Sequence, residues 1–224
     1  MKPDDAMPAP ALKRRGRKLH RAAAAEDMGP RQAILEAALE AFSLSGFDGA
    51  SLPAIAKAAN VRHPLIHYYF GSKESLWKHM LEFAFGGLLS EVDTILAASR
   101  GLSPLDRLKV LVHTLALFAA RHPNHLALLL VEARSRSDRA TWLIENYTSK
   151  FVSKLRTVLV DAQAAKQIQD VPLPHLEAII MGAVVLYFSA NPVVSRGISR
   201  EELASEHASK VLDVVLNGIR APAL

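Results

Sequence analysis

The sequence contains no cysteine. Disulfide frameworks, thiolate metal sites and cysteine nucleophiles are thereby excluded, and a reducing compartment is the expected setting. Aromatic residues make up only 6% of the 224 residues while apolar residues make up 50%, a balance that suits an aliphatic, helix-rich globule. Long apolar runs are missing as well. The longest stretch free of charged or strongly polar side chains spans residues 178–188, well short of the ~20 residues needed to cross a bilayer. The N-terminal stretch MKPDDAMPAPALKRRGRK carries charge without an apolar segment, so no secretory signal is expected. A cytoplasmic protein with no membrane partner is the expectation. Also missing are a glycine-rich phosphate loop, a nucleophile elbow, paired carboxylates at helical spacing and a complete set of metal ligands. Neither an enzyme nor a cofactor is expected.

What is present is unevenly placed. The formal net charge of +5 sits entirely in residues 1–25, where Lys2, Lys13, Arg14, Arg15, Arg17, Lys18 and Arg21 face only Asp4 and Asp5. The remaining chain holds 20 basic and 20 acidic side chains, the 27 and 22 of the whole chain less those 7 and 2. A basic arm on a neutral body reads either as a device for finding a polyanion such as nucleic acid or as a solvated tail. If it binds DNA, Lys13, Arg14, Arg15, Arg17 and Lys18 are its contacts.

Helical periodicity begins near Pro30, with Ile34, Leu35, Ala38, Leu39 and Phe42 on one face. It stops at Ser45-Gly46-Phe47, where Gly46 can take a left-handed C-cap and Phe47 can fold back as the apolar residue after it. Ser51 caps a short second helix, Asn60 ends it in a left-handed backbone, and a third helix starts within about three residues with Pro64 in its first turn. Two short helices so closely joined form a helix-turn-helix, whose second helix is free to enter a DNA major groove. Ser72 caps a longer fourth helix reaching about Ser99, with Gly86-Gly87 as an expected bend. Further helices are expected over 104–121, 124–135, 139–166, 173–190 and 200–218, with no strand-period segment and no internal repeat. The fold class is all-α with about nine helices: an arm over 1–29, a helix-turn-helix domain over 30–75 and a larger helical domain over 76–224.

The stretch AIAKAANVRHPLIHYYFGSK turns abruptly from small apolar residues to two histidines, two tyrosines and a proline. Within ILEAALEAFSLSGFDGASLPAIAKAANVRHPLIHYYFGSKESLW, this order of elements resembles the tetracycline-repressor (TetR) family of bacterial regulators. The shared pattern is an apolar helix, Gly-aromatic, a Ser cap, Ile-Ala, Asn-Val, an aromatic-rich helix end and then Phe-x-Ser-Lys-Glu. The resemblance implies that Ser51, Arg62, His63, Pro64, Leu65, His67, Tyr68 and Tyr69 lie at the DNA, with Lys73 on a phosphate. Elementary chemistry agrees, because His and Tyr can bond phosphate oxygens or base edges, and a lysine at a helix N-terminus adds to its positive potential. Ile66 and Phe70, four apart, face inward. Arg62 stands where the family usually has a capping Ser or Thr, and His67 where it usually has Tyr. His63 and His67 have a spacing that also suits a metal, but no third ligand is near in sequence.

The same resemblance implies a ligand cavity and a dimer interface in the larger domain. Candidate cavity residues are Leu89, Leu115, Phe118, Leu129, Trp142, Asn146, Tyr147, Phe151, Met181, Val185 and Phe188, with Glu132 and Ser189 as further polar anchors; ordinary core is the bland alternative for each. The last two helices carry more aliphatic residues than one buried face needs, which points to subunit contact through Ile180, Val184, Tyr187, Leu203, His207, Val211 and Val215. The expected function is a homodimeric regulator, a repressor released from a palindromic operator on double-stranded DNA by a small, largely apolar effector. The alternative is an architectural DNA-binding protein whose helical domain binds a protein or membrane partner.

Overall fold

The structure, a computed structural model, describes residues 29–190 and 199–219, so the basic arm and its expected DNA contacts lie outside the described residues. The described residues form nine helices in succession. α1 is Pro30–Gly49, α2 Leu52–Ala58, α3 His63–Phe70, α4 Lys73–Ala98, α5 Pro104–Arg121 and α6 Pro123–Ser135. α7 joins Asp138–Leu143, a π-helical turn Ile144–Thr148 and Ser149–Ala164; α8 is Leu173–Ala190 and α9 Arg200–Ile219.

The local signals explain the first four elements. The helical path of α1 turns at Gly46, whose φ of 68° and ψ of 177° are open to glycine and strained for any residue with a Cβ. That turn brings Phe47 back against the helix, where its ring stacks on Phe42 at 5.7 Å and meets Trp77 edge-on at 6.4 Å. Ser51 Oγ accepts from the Ala54 amide at 3.3 Å and Ser72 Oγ from the Ser75 amide at 3.0 Å, each satisfying an otherwise orphaned helix donor. Asn60 takes the left-handed backbone with φ 57°, and Arg62 begins α3 without a side-chain cap.

α4 runs as one continuous helix of 26 residues through Gly86-Gly87. The helix expected over 139–166 is interrupted instead: the Ser149 amide reaches the Ile144 carbonyl, five residues back, and so inserts a π-helical turn.

α4 spans both halves of the molecule. Near its start Leu76, Trp77, Met80 and Leu81 are fully buried beside α1; further along Phe85, Leu88 and Val92 are buried with α5 and the π turn. Burying side chains of this size contributes roughly 1.5–3 kcal/mol each. α5 is the axis of the larger domain, packed by α7, α8 and α9. The Arg156 guanidinium grips the Glu177 carboxylate through two bonds at 2.5 and 2.7 Å, fastening α7 to α8.

Candidate DNA interface and apolar cavity

On α3, burial and exposure alternate with the helical period. Ile66 and Phe70 are 1% and 4% exposed and hold the helix to the small core, while Tyr68 is 80% exposed and His67 and Tyr69 share its open face. Tyr68 touches the Tyr69 ring, centroids 5.2 Å apart, and otherwise stands in solvent, where its hydroxyl can meet a phosphate or base edge. His67 Nδ1 donates to the Gly71 carbonyl at 3.0 Å, which fixes the ring so that Nε2 points away from the bond. Gly71 itself closes α3 with φ 72°. Arg62 and Pro64 are exposed at the start of the helix, and Leu65 is half-buried.

Three expected contacts carry structural duties. His63 is half-buried against His67, ring centroids 5.0 Å apart, and its Nε2 is enclosed without a partner, so that nitrogen does not face the open side. Ser51 is exposed, with its oxygen engaged in the α2 cap. Lys73 is half-buried with its ammonium 4.6 Å from the Phe47 ring centroid, and Arg139 lies over the same ring at 3.8 Å. Among the described residues no group of three His, Cys, Asp or Glu could hold a metal ion, and His63 and His67 gain no third ligand.

Between α4, α5, α6, α7 and α8 lies a small apolar cavity of about 30 Å³, lined by Phe85, Leu88, Leu89, Leu115, Leu126, Leu129, Tyr147, Thr148, Phe151 and Met181. Six expected residues line it: Leu89, Leu115, Leu129, Tyr147, Phe151 and Met181. Phe118 stands behind, its ring 6.3 Å from that of Phe85, and Val185 and Phe188 are buried in the surrounding core. Trp142 and Asn146 line instead a neighbouring cleft of about 460 Å³, with Lys78, His79, Glu82, Gly86, Leu89, Tyr147 and Lys150. Sequence reasoning missed Glu82 altogether and read Gly86 only as part of a bend, not as a site residue. Their one signal is a glycine four residues after a carboxylate, which bares one face of the helix.

The titrating groups of this region follow burial. Burial, with the charge of His122 adding to it, lowers His125 to about 3; its ring sits edge-on to Phe85 and Phe118 and its Nδ1 has no partner. Burial raises the Glu132 carboxyl, with Arg139 pulling the other way. Glu132 is 1% exposed near the junction with α1 and does not line the cavity. Burial and the hydrogen bond to Glu82 raise the Tyr147 hydroxyl. Ser189 donates to the Val185 carbonyl within its own helix at 2.5 Å.

The residues expected at a subunit contact divide. Ile180, Val184, Val211 and Val215 are buried in the chain's own core, at 1%, 0%, 8% and 7% exposure. The aliphatic surplus on α8 and α9 is real, but the helical phase that counts as spare is the one carrying Ile179, Leu186 and Val214, which are 49%, 52% and 75% exposed. Tyr187, Leu203 and His207 are partly exposed. His207 Nε2 donates to the Ala183 carbonyl at 3.0 Å and its ring stacks on Tyr187 at 3.8 Å, so it ties α9 to α8 within one protomer.

Comparison with known proteins matches both halves. Residues 34–80 match the bacterial regulatory proteins of the tetR family, and residues 104–217 match a tetracyclin repressor-like C-terminal domain. The HTH-type transcriptional repressor NicS of Pseudomonas putida is 26% identical over 198 residues, covering 85% of this chain and 92% of the relative. Among solved structures, the ketosteroid transcriptional regulator KstR2 of Mycobacterium tuberculosis superposes with a TM-score of 0.70 at 18% identity, over 86% of this chain and 95% of that one. The transcriptional regulator PfmR of Thermus thermophilus does so with a TM-score of 0.65 at 18% identity, over 80% and 97%. These two likenesses speak for the fold.

Proposed function

Because the chain belongs to the tetR family of bacterial regulatory proteins and is a DNA-binding transcriptional regulator, we propose that it acts as a homodimeric repressor, released from a palindromic operator by a small, largely apolar effector. The observation that carries this reading is the pairing of an open polar row on α3 with an apolar cavity in the larger domain, joined by one unbroken helix. α4 bears Lys73 and Trp77 at its DNA end and Phe85, Leu88 and Leu89 at the cavity. An effector that parts the cavity lining shifts α4 as a lever and changes the separation of two recognition helices, which on DNA fit successive major grooves about 34–36 Å apart. A coupling of about 1–3 kcal/mol is enough to change operator occupancy several-fold, and operator DNA then weakens the effector by the same factor. Ile179, Leu186 and Val214 supply an apolar face for the second copy, with Tyr187 and Leu203 beside it.

The test is fluorescence anisotropy with labelled fragments of the DNA upstream of the gene, alongside light scattering of the free protein at micromolar concentration. The reading expects a dimer that prefers one fragment to random DNA, and a compound that lowers this affinity. A monomer refutes the dimer. DNA binding that no small molecule loosens, together with capture of a protein partner by the helical domain, replaces the effector reading with an architectural one.

A further inference from the structure

Two spaces of very different size meet at two side chains. The outer cleft of about 460 Å³ and the inner cavity of about 30 Å³ share Leu89 and Tyr147 in their linings, so these side chains form the partition between them. The inner space holds little more than one water, and no effector enters until the partition moves.

What holds the partition is specific. The Tyr147 hydroxyl donates to Glu82 Oε2 at 2.8 Å, across 65 positions of sequence. Glu82 reaches it by folding back over Gly86: a Cβ at Gly86 would lie 2.7 Å from Glu82 Oε1, so a side chain there would displace the carboxylate from this position. Tyr147 is carried by the π-helical turn Ile144–Thr148, which holds one residue more than an α-helical turn and can release it by a small change of register. Hydrogen bond, glycine notch and π turn together make a latch.

The charges around it indicate what opens it. Among the described residues no cation is paired with Glu82: Lys78 is paired with Glu74 at 2.9 Å, and Lys154 is paired with Asp93. Lys150 lines the outer cleft. Once Tyr147 swings away, the Glu82 carboxylate, exposed at the threshold, is open to a donor from a ligand in competition with water. Resting on the effector reading above, we propose that Tyr147 and Glu82 are the latch of the effector site, and that the effector is an amphipath whose apolar body fills the cavity and whose head, a hydroxyl or an amine, replaces the tyrosine hydroxyl on Glu82. A carboxylate head meets Glu82, the charge bonded to Tyr147 at the partition, as a like charge and is disfavoured there, with Lys150 on the cleft wall as the competing attraction.

Three probes with the same tail, decylamine, 1-decanol and decanoate, test this on the full-length protein, each kept below its micellar concentration. Tryptophan emission reports occupancy, because Trp142 lines the cleft and Trp77 lies behind it, ring centroids 5.7 Å apart. The shift in melting temperature gives a second readout independent of the indoles. The amine and the alcohol should bind saturably, and decanoate at least about ten-fold more weakly. Glu82→Gln keeps an acceptor for Tyr147 but removes the charge, so the amine and the carboxylate should converge to within about three-fold. Tyr147→Phe removes the hydroxyl that competes for Glu82 and should tighten the amine and the alcohol. Decanoate binding as tightly as decylamine, an unchanged ranking in Glu82→Gln, or no saturable change in either readout overturns the proposal. Neither readout involves DNA. Correct ranking without release of DNA leaves the latch standing and refutes effector coupling; release by another compound, with none of the three probes bound, does the reverse.

Discussion

α3 and the cavity are built from the same residue types under opposite rules. On α3 the aromatic and imidazole side chains of Tyr68, Tyr69 and His67 stand in solvent, while around the cavity Phe85, Tyr147 and Phe151 are enclosed. In the first region the side chains proposed to meet DNA break the packing pattern; in the second those proposed to meet an effector obey it. Packing therefore constrains the second region energetically and barely touches the first.

Substitutions in the two regions should separate accordingly. The largest effect is expected on α4, the helix that runs between them, at Trp77, which is fully buried and in contact with both Phe47 and Trp142. Trp77→Ala should cost about 3–5 kcal/mol in urea unfolding, whereas Tyr68→Ala should stay within about 0.5 kcal/mol. Equal losses would erase the contrast.

pH sharpens it next. An imidazole lowered to about 3 in the folded state resists protonation there while the unfolded chain accepts it near 6.5, so its stabilising contribution is present above about 6.5 and is lost as pH falls toward 3. Wild-type stability should decline through that window by up to about 1.4 kcal/mol per pH unit from this group, and His125→Leu should flatten the decline. An unchanged slope would mean that the ring is not held neutral by burial.

Glu132 works with the opposite sign and a smaller effect. Its carboxyl is raised by burial, so its native environment favours the protonated form, and that contribution is lost as pH rises through the raised value. Glu132→Gln should gain about 2 °C in Tm at pH 7 and nothing near pH 4. A loss at pH 7 would show that the charged form is the one the junction needs.

Legibility in the sequence follows the same division. Gly46, Ser51, Asn60 and Ser72 mark local backbone events: the turn in α1, the start and end of α2 and the start of α4 fall where those residues place them. The exposed row on α3 is visible because polar aromatics following a small-residue helix have no core to fill. The phase of α8 is not visible: with apolar residues on nearly every side, Ile179 and Ile180 are alike in sequence, and only packing against α5 decides that Ile180 is inside. Nor is the π turn, since one inserted residue leaves the apolar spacing of Trp142, Tyr147 and Phe151 almost intact. Glu82 is polar on an exposed helix face, and what distinguishes it is a partner 65 residues away.

The central claim is that the open row on α3 recognises DNA while contributing little to the fold. The direct measurement is the affinity of a His67→Ala, Tyr68→Ala double variant for an upstream fragment selected by the wild-type protein, against random DNA of equal length and at one salt concentration, with melting temperature recorded in parallel. The account predicts a loss of discrimination of about 1–3 kcal/mol at an unchanged melting temperature. Undiminished discrimination in a folded variant would contradict it.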